Sequence, residues 1–178
     1  QEPDPPYYNV DLAETGEYQL VIFQDSITSL EAGDEVGVFD AMGVVESCNP
    51  DDGCSDPTYG EVLVGAGVWT GSQLEISAIM SVDLSDFNGP VLNGAVDGNS
   101  VVLKVYRASE EMEYNATATW GTGNGNFGDL ILAASELELQ EPDPPYYNVD
   151  LAETGEYQLV IFQDSITSLE AGDEVGVF

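Results

Sequence analysis

The chain has 178 residues, of which 34 are acidic and only Lys104 and Arg107 basic; with no histidine its formal charge is −32. A surface of that sign repels phosphates and anionic head groups, which argues against nucleic acid and membrane insertion and makes cations its natural company. Hydrophobic residues make up 43%, too many for the acidic disordered class, so the chain should fold, most comfortably where salt or divalent ions screen its self-repulsion.

Residues 1–39 return without a change at 140–178, an offset of 139 residues. The repeat sets the expected domain organisation. Residues 1–139 form one unit, with a Pro-rich joint at 1–8 and a β-sandwich over 9–139. Residues 140–178 open the next identical unit and stop at Phe178 within a hydrophobic run. Two readings fit: a window on a long tandem array, or a segment that completes, through strand donation, a sandwich made by residues 40–139 or by a neighbouring chain.

In chain order, QEPDPPYY comes first. Its three prolines favour extended, polyproline-like backbone, so Glu2, Asp4, Pro5 and Pro6, with their copies Glu141, Asp143, Pro144 and Pro145, are expected to form a semi-rigid inter-unit joint. Tyr7 and Tyr8 either pack on a domain end or open the first strand. The runs at 17–23 and 34–40 read as strands; in the second copy Tyr157, Leu159, Ile161, Val175 and Val177 would lack most of their core. In 34–40, Asp34, Glu35 and Asp40 could face a cation, but a turn into a core strand with Val36, Val38 and Phe39 buried is the simpler reading.

Next comes ESCNPDDGCSD. Cys48 and Cys54, six positions apart around a turn sequence, are expected to form a disulfide, because a metal site would need further Cys or His ligands. A disulfide implies an oxidising compartment, hence a secreted or cell-surface protein. Asn49, Asp51, Asp52 and Asp56 offer a density of oxygen ligands suited to calcium, the one candidate cofactor, without the residue order of an EF-hand; an ordinary solvated acidic turn is the alternative.

Runs at 60–69 and 100–108 are apolar on nearly both faces, as central strands are. Residues 72–83 alternate, with Leu74, Ile76, Ala78, Met80 and Val82 on one side. Residues 112–120 place Tyr114, Ala116, Ala118 and Trp120 inward and Asn115, Thr117 and Thr119 outward. GTGNGNFG at 121–128 has the composition of a mobile loop or wide turn. A strand at 130–139 closes the unit. The expected fold is all-β, an antiparallel β-sandwich of Ig-like or jelly-roll-like type, tandemly repeated. No apolar run of about 18 residues marks a membrane-spanning helix.

The succession SITSLEAGDEVGVFDAMG, GEVLVGAGVWTGSQLEISAI and GNSVVLKVYRASEEMEYNATATW resembles a module that recurs in secreted and surface proteins of Bacteroidetes-like and other aquatic bacteria. The resemblance covers roughly residues 17–120 and implies an extracellular β-sandwich used as a repeated structural or adhesive element. The segment VVESCNPDDGCSDPTYGE interrupts the family pattern, so the resemblance is silent on that loop.

Modification is the remaining chemistry. Asn115-Ala116-Thr117 is an N-glycosylation sequon on an outward strand face. Asp25-Ser26-Ile27, with Ser165 in the copy, resembles a bacterial O-glycosylation signal, or is simply a turn between strands. The inventory for catalysis is poor: there is no histidine base and no phosphate loop before a helix, and nothing singles out two carboxylates as a glycosidase pair. The expectation is a non-enzymatic structural subunit of an extracellular fibril, stalk or adhesin shaft, whose partners are identical units head to tail. The alternative is a multivalent module that binds glycans through Trp69.

Overall fold

The computed structural model describes residues 6–49, 53–54 and 56–141, together with positions 158, 160–162, 166, 168 and 175–177 of the second repeat. The chain divides into two units, Gln1–Pro142 and Asp143–Phe178. The first unit is all-β, with seven strands among its described residues: β1 (Tyr18–Phe23), β2 (Glu35–Glu46), β3 (Thr58–Val68), β4 (Leu74–Ile79), β5 (Val101–Arg107), β6 (Met112–Thr122) and β7 (Leu132–Gln140). Among the described residues, a 3-10 turn at Ser85–Phe87 is the one helical element.

The strands form one hydrogen-bonded sheet in the order β3-β2-β5-β6-β7-β1-β4. The sequence predicts a purely antiparallel arrangement, and the sheet is mixed instead. β1 inserts between β4, to which it runs antiparallel, and β7, to which it runs parallel with Val21 opposite Leu132. The reason lies upstream of β1. Tyr7 and Tyr8 bond to Glu35 at the start of β2, whereas Thr15 bonds to the Met80 carbonyl at the end of β4. Residues 6–17 thus carry the chain from one end of the sheet to the other before β1 begins.

The sheet curls on itself. β3 and β4 are its two edges, about 29 Å apart if seven strands lay flat, yet residues 69–73 join them and span at most about 21 Å from Val68 to Leu74. The edges face each other across a seam of glycines. A Cβ on Gly65 would stand 2.7 Å from Ile76 Cγ2, and one on Gly67 3.0 Å from Leu74 Cδ1, so only glycine lets the two strands approach this closely. Inside the curl, Val21, Phe23, Val36, Val38, Val64 and Val105 are fully buried.

The 60–69 run is therefore an edge strand rather than a central one; its apolar character serves the seam with β4. In β1 the face also differs from expectation. Val21 and Phe23 point into the core, while Tyr18 is exposed and Leu20 and Ile22 only half-buried. Of their copies in the second repeat, Ile161 is exposed, and Tyr157 and Leu159 lie outside the described residues. Alternation in β6 runs as predicted, with Tyr114 buried and Asn115, Thr117 and Thr119 exposed.

The glycine-rich stretch after β6 is a wide turn held in place. Phe127 is buried, the Phe127 amide donates to the Asn99 carbonyl, and the Gly128 amide donates to Gln19 Oε1. Gly125, with φ at +84°, lies against the Trp120 indole where any Cβ would collide.

In the second unit the described residues lie outside any strand. Val21 and Phe23 are 0% exposed, whereas their copies Val160 and Phe162 are 48% and 49% exposed; Val38 is 0% and its copy Val177 70%.

Candidate functional site

Glu35, Gly37 and Phe39 alternate with the core valines of β2 and so face outward, as do Lys104 and Tyr106 of β5 and Glu113 of β6. Onto this outer surface the end of the joint is clamped. The Tyr7 and Tyr8 amides donate to the two carboxylate oxygens of Glu35 at 3.0 and 3.1 Å. The Tyr8 hydroxyl donates to Glu113 Oε2 at 2.8 Å. The Tyr7 ring stacks on Tyr106 at 3.8 Å between centroids, and Tyr8 meets Phe39 edge-on at 5.6 Å.

The glycine opposite completes the seat. A Cβ on Gly37 would stand 3.2 Å from the Tyr8 ring and 2.7 Å from that of Phe39. Of the two readings of the tyrosines, packing prevails, against the face of β2, β5 and β6; β1 starts only at Tyr18. The sequence signal for the seat was the period-2 pattern itself: Glu35, Phe39, Tyr106 and Glu113 are the outward members of strands whose inward members were legible.

Burial, then the hydrogen bond to Glu113 and its charge, push the Tyr8 phenol far above its ordinary value of 10.0. A raised folded-state value means that stability is fully present below about pH 10 and falls above it, where the unfolded chain releases a proton that the native state retains. The expected loss from Tyr8 is up to about 1.4 kcal/mol per pH unit above 10. Tyr8→Phe, which removes the titrating phenol, should make this alkaline limb shallower; thermal unfolding between pH 8 and 11 measures it.

The Gly-Asp-Glu segment holds two buried carboxylates in structural roles. Asp34 accepts from Arg107, with Nη2 to Oδ2 at 3.0 Å, and from the Glu31 amide. The Asp34 hydrogen bonds raise the Arg107 value further and keep the guanidinium charged. Asp40 accepts from the amides of Met42 and Val96 and from the Asn99 side chain. Lys104, the other cation, reaches Glu61 at 2.7 Å and lies 4.7 Å over the Phe39 ring. Both basic side chains are thus engaged internally, leaving the acidic surface unrelieved.

The cysteines form the expected disulfide, Cys48–Cys54, with Cα atoms 5.4 Å apart. It ties the tip of the β2–β3 hairpin, and reciprocal backbone bonds between Cys48 and Val91 pin that tip to the β4–β5 connection. Closing so short a loop is worth about 2 kcal/mol. Cys48→Ser with Cys54→Ser should lower the unfolding free energy by that amount in chemical denaturation. Of the calcium candidates, Asn49 and Asp56 are described; Asp51 and Asp52 lie outside the described residues. Among the described residues no group of three or more carboxylate, Cys or His side chains is placed to hold a metal.

Asn115 is exposed on β6. Ser26 sits in the turn after β1, its hydroxyl donating to the Ser135 carbonyl at 2.8 Å. Pro6 and Glu141 are exposed; Glu2, Asp4, Pro5, Asp143, Pro144, Pro145 and Ser165 lie outside the described residues. Trp69 is corrected. It is 3% exposed and part of the core, because it follows β3 directly, where its amide donates to the Asp34 carbonyl and its own carbonyl accepts from Gly33. Its indole has no face to offer a sugar. Among the described residues no helix is long and apolar enough to cross a membrane. Comparison with models of protein families, with curated proteins and with solved structures finds no match.

Proposed function

We propose that this chain is a structural subunit of an extracellular fibre. In this reading, acidic β-sandwich modules of 139 residues are joined head to tail, in the manner of the bacterial surface modules that the sequence resembles. The observation that carries the reading is the pair of identical segments. Val160, Phe162, Val175 and Val177 repeat a strand pair whose partners supply the whole burial of Val21, Phe23, Val36 and Val38.

Three other features support it. The joint is proline-rich, and Tyr7 and Tyr8 at its end are clamped on the module that follows them rather than loose. Like-charged modules repel one another into an extended rod. The disulfide fits an oxidising, extracellular setting. Asn115 and Ser26 are the glycosylation candidates that such an exposed fibre would carry.

Electron microscopy of the native material tests the proposal. Long filaments with a regular axial repeat are expected; discrete globular particles without one would overturn it.

A further inference from the structure

Tyr7 and Tyr106 bring together two phenols that lie far apart in the chain, one at the end of the joint and one on β5. Their ring planes are 3° apart and their centroids 3.8 Å apart, so the two π faces are in van der Waals contact. Tyr7 is 51% exposed and Tyr106 half-buried, so a small oxidant in solution reaches the pair. The other tyrosines are placed differently. Tyr8 is buried and meets Tyr7 edge-on, at 80° and 5.0 Å. Tyr18 and Tyr59 are exposed, but among the described residues neither ring is stacked on another.

An acceptor for the phenolic proton is also in place. Glu113 is opposite Tyr106 on β6 and accepts from the Tyr8 hydroxyl at 2.8 Å. Burial first, and then the charge of Glu113, hold the Tyr7 phenol above its ordinary value, so this carboxylate lies near both phenols. A phenol that loses an electron becomes a strong acid, and a carboxylate within hydrogen-bond reach takes its proton.

We propose that Tyr7 and Tyr106 form an oxidative cross-linking site, at which a carbon–carbon bond between the two rings fastens the joint covalently to β5. Each phenol gives up one electron and one proton. The two phenoxyl radicals couple at ring carbons ortho to oxygen, and the hydrogens on those carbons move to the oxygens as the rings regain aromaticity. Two electrons and two protons leave in all; hydrogen peroxide, acting through a haem peroxidase, takes them up as two molecules of water. Such an oxidant belongs to the same oxidising setting as the disulfide. The bonded rings no longer lie face to face, and the exposed side of Tyr7 gives its ring room to turn. In an array, a force that would peel Tyr7 and Tyr8 from their seat then meets a covalent bond. That consequence rests on the fibre reading, whereas the site itself belongs to a single module.

The test oxidises the full chain, in dilute solution, by brief illumination with tris(bipyridyl)ruthenium(II) and persulfate, a one-electron oxidant whose ruthenium cation is drawn to the acidic surface. Mutual repulsion of the chains keeps coupling between them low. The expected product has the mass of one chain less two hydrogens and the fluorescence of dityrosine, and peptide mapping joins the segment of Tyr7 to that of Tyr106. Tyr7→Phe and Tyr106→Phe keep an aromatic ring in place and should each remove this product, whereas Tyr146→Phe, at the copy of Tyr7, should leave it. Absence of dityrosine at the mass of one chain, its survival in Tyr7→Phe or Tyr106→Phe, or its loss in Tyr146→Phe would overturn the proposal. A negative result would leave the fibre reading standing, and particles without an axial repeat would leave a positive one in place.

Discussion

Replacing Arg107 by alanine is expected to destabilise the module by about 3–5 kcal/mol, the cost of leaving a buried carboxylate without its partner. Asp34 is 2% exposed, so water cannot replace the guanidinium. The loss extends beyond the pair, because Arg107 Nη2 also donates to the Ser29 carbonyl at 2.8 Å and so ties the β1–β2 connection to β5. Arg107→Lys should recover little: an ammonium cannot hold Asp34 and Ser29 with the same fork of donors. Chemical denaturation of the two variants beside the parent measures both effects, and a change below about 1 kcal/mol for Arg107→Ala would contradict this role.

Trp69→Ala is the second large effect. Removing a buried indole leaves a cavity that the surroundings fill only in part, at a cost of about 3–5 kcal/mol. The position is sensitive for a further reason. Trp69 begins the short connection that brings the two sheet edges together, and its backbone is bonded on both sides to the turn before β2. The variant should therefore unfold at markedly lower denaturant concentration. Unchanged stability together with a lost glycan interaction would restore the carbohydrate-binding alternative that burial removes.

How far the sequence could be read follows from how local each feature is. Alternation in β6 depends on one strand and its two faces, so Tyr114 and Asn115 were assigned correctly. The disulfide is a six-position loop with its own turn residues and needs no knowledge of the rest. The parallel insertion of β1 beside β7 depends instead on residues more than 100 positions apart, and no local period carries that information. The same limit explains Trp69. Its burial comes from the curl of the sheet, and the curl is signalled only by Gly65 and Gly67, whose role appears once β4 lies against them.

The core face of β1 was misread for a different reason. YQLVIF is apolar at almost every position, so a period of two has no contrast to act on; the buried Gln19, which bonds to Gly128, disguises the inward face further. The tyrosine seat was half visible. Tyr7 and Tyr8 stood out next to the prolines, but Glu35 and Glu113 resembled any other acid in a chain with 34 of them. Only geometry shows that these two carboxylates hold the joint.

The central claim is that identical β modules follow one another at a period of 139 residues, each folding as one cooperative unit. Pulling single filaments of the native material by force spectroscopy tests it most directly. Equal unfolding steps are predicted, each releasing on the order of 40–47 nm of contour, the extended length of one 139-residue period less a folded extent of a few nanometres. Irregular steps, or steps unrelated to that length, would contradict the account.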